Sequence, residues 1–167
     1  MAAIFMSACS NAQDGVGTGT ALQAEGPQTN GVLGFPHARV GKTYRFAFPL
    51  FKNRSDAPIV IDSVRLTQIP RGVRVLGYPI YSVDDTNGYI LDNQDDIASP
   101  RDMTKMPNYA GKSITVKPRK TSDRYAMVQV RVIGRVQHHL GGCEVTYSQA
   151  GRKYRQNLRC DFALDMK

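Results

Sequence analysis

Alternation of side-chain character near the end of the chain constrains the fold more than any other feature. Over residues 154–164 an apolar set alternates with a polar one: Tyr154, Leu158, Cys160, Phe162 and Leu164 against Arg155, Asn157, Arg159 and Asp161. Residues 126–136 repeat the pattern, with Ala126, Val128, Val130 and Val132 alternating with Gln129, Arg131 and Arg135. Because side chains on a strand point alternately to opposite faces, this period of two predicts strands with one buried face.

Shorter segments with strand character recur between turn residues along the chain. They are predicted at residues 44–48, 59–66, 73–81, 89–91, 113–116 and 143–147. In the second of these, the parity slips around Asp62 and Ser63, which predicts a β-bulge. No segment of the sequence has a helical period. Roughly seven or eight short strands of this kind predict an all-β protein built as an antiparallel β-sandwich.

The turn Phe51-Lys52-Asn53-Arg54-Ser55 and the closing cysteine-bearing hairpin resemble those of secreted bacterial immunoglobulin-like domains. The resemblance covers about residues 40–165 and implies an immunoglobulin-like β-sandwich. We expect one such domain over residues 36–167. The chain has no tryptophan, so the Cys…Trp…Cys arrangement of antibody domains is absent.

The start of the chain, Phe5-Met6-Ser7-Ala8-Cys9, places two small residues directly before a cysteine and behind a short apolar run. It resembles the lipobox of bacterial lipoproteins, in which the cysteine is acylated and ties the mature protein to a membrane. The resemblance implies lipidation at Cys9, a remnant signal peptide over residues 1–9 and an extracytoplasmic location at the bacterial cell membrane. Residues 10–35 are polar and glycine-rich without an apolar period, which predicts a disordered, flexible tether.

The cysteine count supports the same compartment. Of the three cysteines, one lies in the lipobox-like motif and leaves Cys143 and Cys160 as a pair. If residues 143–147 pair antiparallel with residues 156–160, these two cysteines lie opposite each other on the inward face. Opposed Cα atoms on paired strands are within disulfide range, so we expect a disulfide, as is common in exported proteins.

The net charge of +8 and the pI near 9.6 favour acidic partners. Two long strands carry arginines on their predicted outward faces: Arg131 and Arg135 on one, Arg155 and Arg159 on the other. Arg152 and Lys153, in the hairpin loop before the second strand, extend the set. Consecutive strands are often neighbours, which predicts one basic patch. We expect it to meet anionic lipid, wall polymer or another envelope protein, and not nucleic acid; the alternative is a solvated face without a partner.

Residues 84–96 contain five of the fourteen acidic residues of the chain. Crowded oxygen ligands on a loop are typical of calcium sites, which makes Asp85, Asn87, Asp92 and Asp95 candidate ligands. The alternative is a solvated acidic loop, because Val83 and Gln94 would occupy the first and last positions of an EF-hand. His37, His138 and His139 lack metal-ligand spacing, no catalytic motif is present, and we expect no resident metal or cofactor.

Three functions agree with these patterns. The first is a non-catalytic, lipid-anchored extracytoplasmic binding or structural module of the bacterial cell envelope. The second is an enzyme or enzyme accessory domain that acts on envelope polymers through the long polar segment 82–108, because long insertions in compact domains are often functional. The third is a viral or phage structural β-domain, which would need no lipid anchor.

Overall fold

A computed structural model describes residues 15–95 and 102–166 of the chain. About half of the chain, 51%, is strand, and most strands pair antiparallel, so the all-β prediction is confirmed. One 3₁₀ turn, Pro27–Thr29, interrupts the strands. The strands are β1 Gly17–Thr18, β2 Leu22–Glu25, β3 Leu33–Phe35, β4 Thr43–Ala47, β5 Leu50–Asn53, β6 Ile59–Gln68, β7 Val73–Gly77, β8 Ile80–Ser82, β9 Asp92–Gln94, β10 Ile114–Val116, β11 Arg124–Val132, β12 Leu140–Gln149 and β13 Arg152–Leu164.

The strands form two larger sheets and one separate pair, and both larger sheets contribute buried residues to the main core cluster. The first sheet has the order β1-β13-β12-β6-β10, with β3 also paired to β13. The second sheet has the order β7-β11-β4-β9, with β8 also paired to β11, and β2 and β5 form a separate pair. Both β1 and β3 run parallel to β13, so the first sheet is mixed and the prediction of a wholly antiparallel structure is wrong. No helix that could span a membrane occurs in the described part of the chain.

The core confirms the prediction that the alternating apolar residues of the two long strands form a buried face. Val128, Val130 and Val132 of β11 are fully buried, and Phe162 of β13 is buried against Phe46 of β4 with ring centroids 5.0 Å apart. This ring pair joins the two sheets. Each such aromatic or aliphatic side chain contributes about 1.5–3 kcal/mol when it is removed from water, so the inward face of the strands supplies most of the folding free energy.

The N-terminal segment differs from the predicted tether. Residues 17–35 carry β1, β2 and β3, and Leu22 and Gln28 are buried. Gln156 holds Leu22 at both its backbone groups: the side-chain oxygen accepts from the Leu22 amide at 3.1 Å, and the side-chain nitrogen donates to the Leu22 carbonyl at 2.6 Å. The described part of this segment is therefore folded, because backbone hydrogen bonds to a sheet edge need no apolar periodicity. Residues 10–14 lie outside the described residues.

The closing hairpin confirms the predicted disulfide with a different register. Cys143 lies opposite Leu158 rather than Cys160, and an irregularity lies between Gly141 and Cys143. Cys143 and Cys160 are nevertheless bonded, with Cα atoms 5.7 Å apart. The register differs from the prediction by two residues, and a shift of two leaves each side chain on its original face, so the two cysteines still meet diagonally.

Three further local predictions, one of a bulge and two of strands, have different outcomes. The parity slip in β6 is a true irregularity, because Thr146 pairs with Ser63 and Tyr147 with Ile61, so no residue of β12 lies directly opposite Asp62. The strand predicted over residues 73–81 is divided into β7 and β8 around Tyr78 and Pro79. The short strand expected at residues 89–91 lies instead at β9, immediately after it.

Candidate functional site

The predicted basic patch is divided between two sheets. Arg131 lies on β11 and Arg135 follows it, in the second sheet, whereas Arg152, Lys153, Arg155 and Arg159 lie on β13, in the first. The prediction of one patch needed β11 and β13 to be neighbours. They are not, because residues 133–139 carry the chain from β11 in the second sheet to β12 in the first, where β13 pairs with β12. The two groups of basic residues are therefore separate surfaces.

The surface on β13 is partly neutralised by one carboxylate. Glu144 of β12 is buried, and its Oε1 accepts from Arg65 Nε at 2.7 Å and lies 3.5 Å from Arg155 Nε. This carboxylate, through its hydrogen bond and its charge, raises the pKa of the Arg65 guanidinium. Two guanidinium groups thus share a carboxylate within the first sheet, and their charges are engaged in the fold.

The surface on β11 gains an arginine that the sequence pattern did not bring to it. Arg74 on β7 lies directly opposite Arg131 in the antiparallel pairing of β7 with β11. Both side chains are exposed, and the valines beside Arg74 alternate to the inward side. Like charges placed directly opposite on neighbouring strands destabilise a sheet. This pair therefore lowers the stability of the sheet, and folding alone does not explain why both positions carry arginine.

Hydrogen bonds at a tight turn bring two further arginines, Arg71 and Arg135, near Arg74 and Arg131. Gly72 lies between Arg71 and β7, and its carbonyl accepts from the Ile133 amide at 2.8 Å and the Gly134 amide at 3.2 Å. These hydrogen bonds hold the turn at 70–72 against the segment that contains Arg135. Both Arg71 and Arg135 are exposed. Four arginines from two distant parts of the chain thus lie around the start of β7 and the end of β11.

None of the four arginines has a carboxylate partner among the ion pairs of the described residues. Arg131 Nε donates to the Gly41 carbonyl at 3.2 Å, a contact that orients the guanidinium without neutralising it. This group therefore differs from Arg65 and Arg155, which share Glu144. Cations that form no such ion pair leave a positive potential at the surface that can attract an anionic partner.

Exposed apolar side chains lie among these arginines. Leu76 follows Arg74 by two residues and is 47% exposed, and Ile133 follows Arg131 by two residues and is 49% exposed. Leu76 lies at an irregularity in the pairing of β7 with β11, and Ile133 directly follows β11, so their exposure, and not the period of two, places them on the solvent side near these arginines. Ile69, two residues before Arg71, is 44% exposed. We call this surface the arginine face; its members are Arg71, Arg74, Arg131, Arg135, Ile69, Leu76 and Ile133.

The four predicted calcium ligands lie in different local settings in the described structure. Asp85 accepts a hydrogen bond from the Tyr109 hydroxyl at 2.7 Å, which raises the pKa of Tyr109. Asp95 forms an ion pair with Arg45, whose side chain is only 4% exposed. Asn87 has a positive φ of 47° in a turn, and Asp92 begins β9. Among residues 15–95 and 102–166, no three His, Cys, Asp or Glu side chains form a group that could hold a metal ion.

The segment 82–108, considered above as a site of catalysis, covers the outer side of the second sheet in its described part. Met103 is buried there with Tyr81, Tyr125 and Met127, and Tyr89 packs at the margin of this second apolar cluster. Burial raises the pKa of both Tyr81 and Tyr89. The described residues of the segment therefore have a packing role. Cys9, the predicted lipidation site, lies outside the described residues.

Comparisons with known proteins add little. The chain matches no known protein family, and no curated protein matches it. A solved structure, that of the VesB protease of Vibrio cholerae, is similar over 85% of this chain and 31% of the protease chain, with 14% identity and a TM-score of 0.38. This chain thus spans less than a third of the protease chain, and a similarity of this size supports no conclusion about fold or function.

Proposed function

We propose that this chain is a non-catalytic, lipid-anchored binding module of the bacterial cell envelope, with an immunoglobulin-like architecture. The observation that carries the proposal is the buried disulfide between Cys143 and Cys160. Disulfides persist in oxidising compartments outside the cytoplasm and are rare inside it. The lipobox-like motif that ends at Cys9 supplies the anchor in this proposal.

The arginine face supports a binding role for the module. The face combines two arginines that lie directly opposite each other with three exposed aliphatic side chains. Exposed apolar patches bordered by polar residues mark interaction sites on soluble domains. Arginine is also enriched at protein interfaces. In the proposed function, the anchor therefore holds the domain at the membrane while this face contacts a partner.

Metabolic labelling tests the anchor. Bacterial cells that express the chain from its own gene are grown with an alkyne-bearing fatty acid, and the purified chain is examined for incorporated label. We expect label in the wild-type chain and in the Cys143→Ala/Cys160→Ala variant, and none in Cys9→Ser. The double variant is the matched control, because it removes cysteines without touching the motif. Label in Cys9→Ser, or an unlabelled wild-type chain, contradicts the proposal; the latter outcome favours a viral or phage domain.

A further inference from the structure

We infer that the arginine face is a docking surface for an anionic lipid bilayer. The inference deepens the proposed function, which places the domain beside a membrane, and names the chemistry of the partner. It rests on three features of the face: its uncompensated positive charge, its exposed aliphatic side chains and its position relative to the N-terminal segment.

The charge fits lipid phosphates. A guanidinium group donates two parallel hydrogen bonds to a phosphate, a geometry that lysine lacks. All four cations of the face are arginines, and Arg74 and Arg131 lie directly opposite each other. Paired strands hold opposed side chains about 4.5–5.5 Å apart, which lets both guanidinium groups reach one lipid headgroup or two adjacent ones. Each basic residue near an anionic membrane strengthens binding about fivefold.

The aliphatic side chains distinguish a bilayer from a soluble polyanion. Ile69, Leu76 and Ile133 are each more than two-fifths exposed beside the arginines. A phosphate-bearing polymer in water offers these side chains no apolar phase to enter. A bilayer offers one directly beneath its headgroups, where residues of amphipathic surfaces insert about 5–10 Å deep. The combination of arginine and exposed aliphatic groups therefore favours lipid over wall polymer.

The position of the face permits contact with the membrane that would hold the anchor. The Val136 amide lies 3.3 Å from the Met166 sulfur, so the arginine face is at the C-terminal end of β13. Gly17 lies opposite Tyr154, near the other end of β13. The separation is about 33 Å along the strand, at about 3.3 Å per residue, and about 10 Å between sheets. Eight residues link Cys9 to Gly17 and span up to about 29 Å. If the outward face of the second sheet lies parallel to the bilayer, the link has to cover only the distance between sheets, and its length is sufficient.

Vesicle co-sedimentation provides the first test. The full chain carrying Cys9→Ser is mixed with phosphatidylglycerol-containing vesicles or with pure phosphatidylcholine vesicles at 50 mM and 300 mM salt. We expect binding to the anionic vesicles only, weaker at the higher salt. Two arginines at about fivefold each predict a roughly 25-fold loss of affinity in Arg74→Ala/Arg131→Ala. Because the protein is unlipidated, this result is independent of whether Cys9 is acylated.

The matched control removes the same charge elsewhere. Arg152 and Lys153 are both exposed at the start of β13, near the opposite end of the molecule. Substituting both by alanine lowers the net charge by two, as the test variant does, and we expect less than a threefold loss of affinity. Equal losses in the two double variants mean that overall charge, and not the arginine face, drives binding. That outcome, or the absence of binding to anionic vesicles, overturns the inference.

Tryptophan reporters test insertion directly, because the chain has no tryptophan of its own. Leu76→Trp places an indole on the arginine face, and Val16→Trp places one at an exposed apolar position near β1. With anionic vesicles, we expect a blue-shifted emission and quenching by brominated lipid for Leu76→Trp alone. Soluble polyphosphate should not shift its emission. If polyphosphate competes fully with vesicles and neither indole shifts, the face binds a soluble polyanion and the bilayer inference is wrong.

Discussion

Removal of the Cys143–Cys160 disulfide gives the sharpest quantitative test of the closing hairpin. The bond joins residues 17 positions apart, so it closes a short loop that already contains the β12–β13 turn. In the chain-entropy treatment, a loop of this length restricts the unfolded chain by about 10.5 cal/mol/K, or about 3 kcal/mol at 25 °C. For a domain of this size, that difference corresponds to a fall in Tm of about 6–12 °C.

The assay compares thermal unfolding of Cys9→Ser with that of Cys9→Ser/Cys143→Ala/Cys160→Ala, followed by circular dichroism. Alanine is chosen because both sulfur atoms are buried and a serine hydroxyl would lack a partner there. Thiol counting on the denatured, non-reduced wild-type chain without lipid should give one reactive group. Three reactive thiols would show that the bond does not form. A triple variant that melts within 2 °C of its parent, a difference of less than about 1 kcal/mol, would contradict the expected stabilisation.

Two further predictions concern a turn and a carboxylate. Gly72 and Gly111 have nearly equal positive φ values, 85° and 83°, but a Cβ on Gly72 would lie 2.4 Å from the Arg135 carbonyl oxygen, whereas one on Gly111 meets nothing within 4 Å. In urea unfolding, Gly111→Ala should therefore lower the free energy of unfolding by about 1 kcal/mol and Gly72→Ala by about 3 kcal/mol. Equal losses would show that the Arg135 carbonyl does not restrict the site. Glu25 accepts from Thr121 and Lys52, which lower its pKa below 4.5. The ionised Glu25 therefore stabilises the fold above its unfolded-state pKa, and this stabilisation is lost as the pH falls through the lower folded-state pKa. Glu25→Gln should make the free energy of unfolding fall less steeply as the pH is lowered. An unchanged acid dependence would show that the contacts of Glu25 contribute nothing to stability.

Local alternation could be predicted from the sequence because it depends only on which side of a strand is buried. The four inward positions of β11 illustrate this, and so does the disulfide, whose formation survived a two-residue error in register. The slip at Asp62 was visible for the same reason. Each of these features follows from the order of neighbouring residues alone.

The arginine face could not be predicted because it depends on pairing between distant segments. Arg74 and Arg131 are 57 positions apart by residue number (131 minus 74), and only the pairing of β7 with β11 makes them neighbours. The alternation around Arg74 carries no information about the strand beside it. The folded N-terminal segment could not be predicted either, because it also depends on pairing with a distant strand. β1 and β3 pair with β13 through backbone hydrogen bonds, which do not require a particular side-chain composition.

The way in which β1 joins the first sheet determines how the domain would respond to a pulling force. An anchor at Cys9 would deliver tension to Gly17, where only two residues of β1 are paired with β13. We expect this short pairing to yield first, and the load then passes to Leu22, which Gln156 holds with two hydrogen bonds. Release of residues 15–21 would turn them into part of the connection, with an extended length of up to about 24 Å at about 3.4 Å per residue. The domain could thus move away from its membrane under tension while its core and disulfide stay intact.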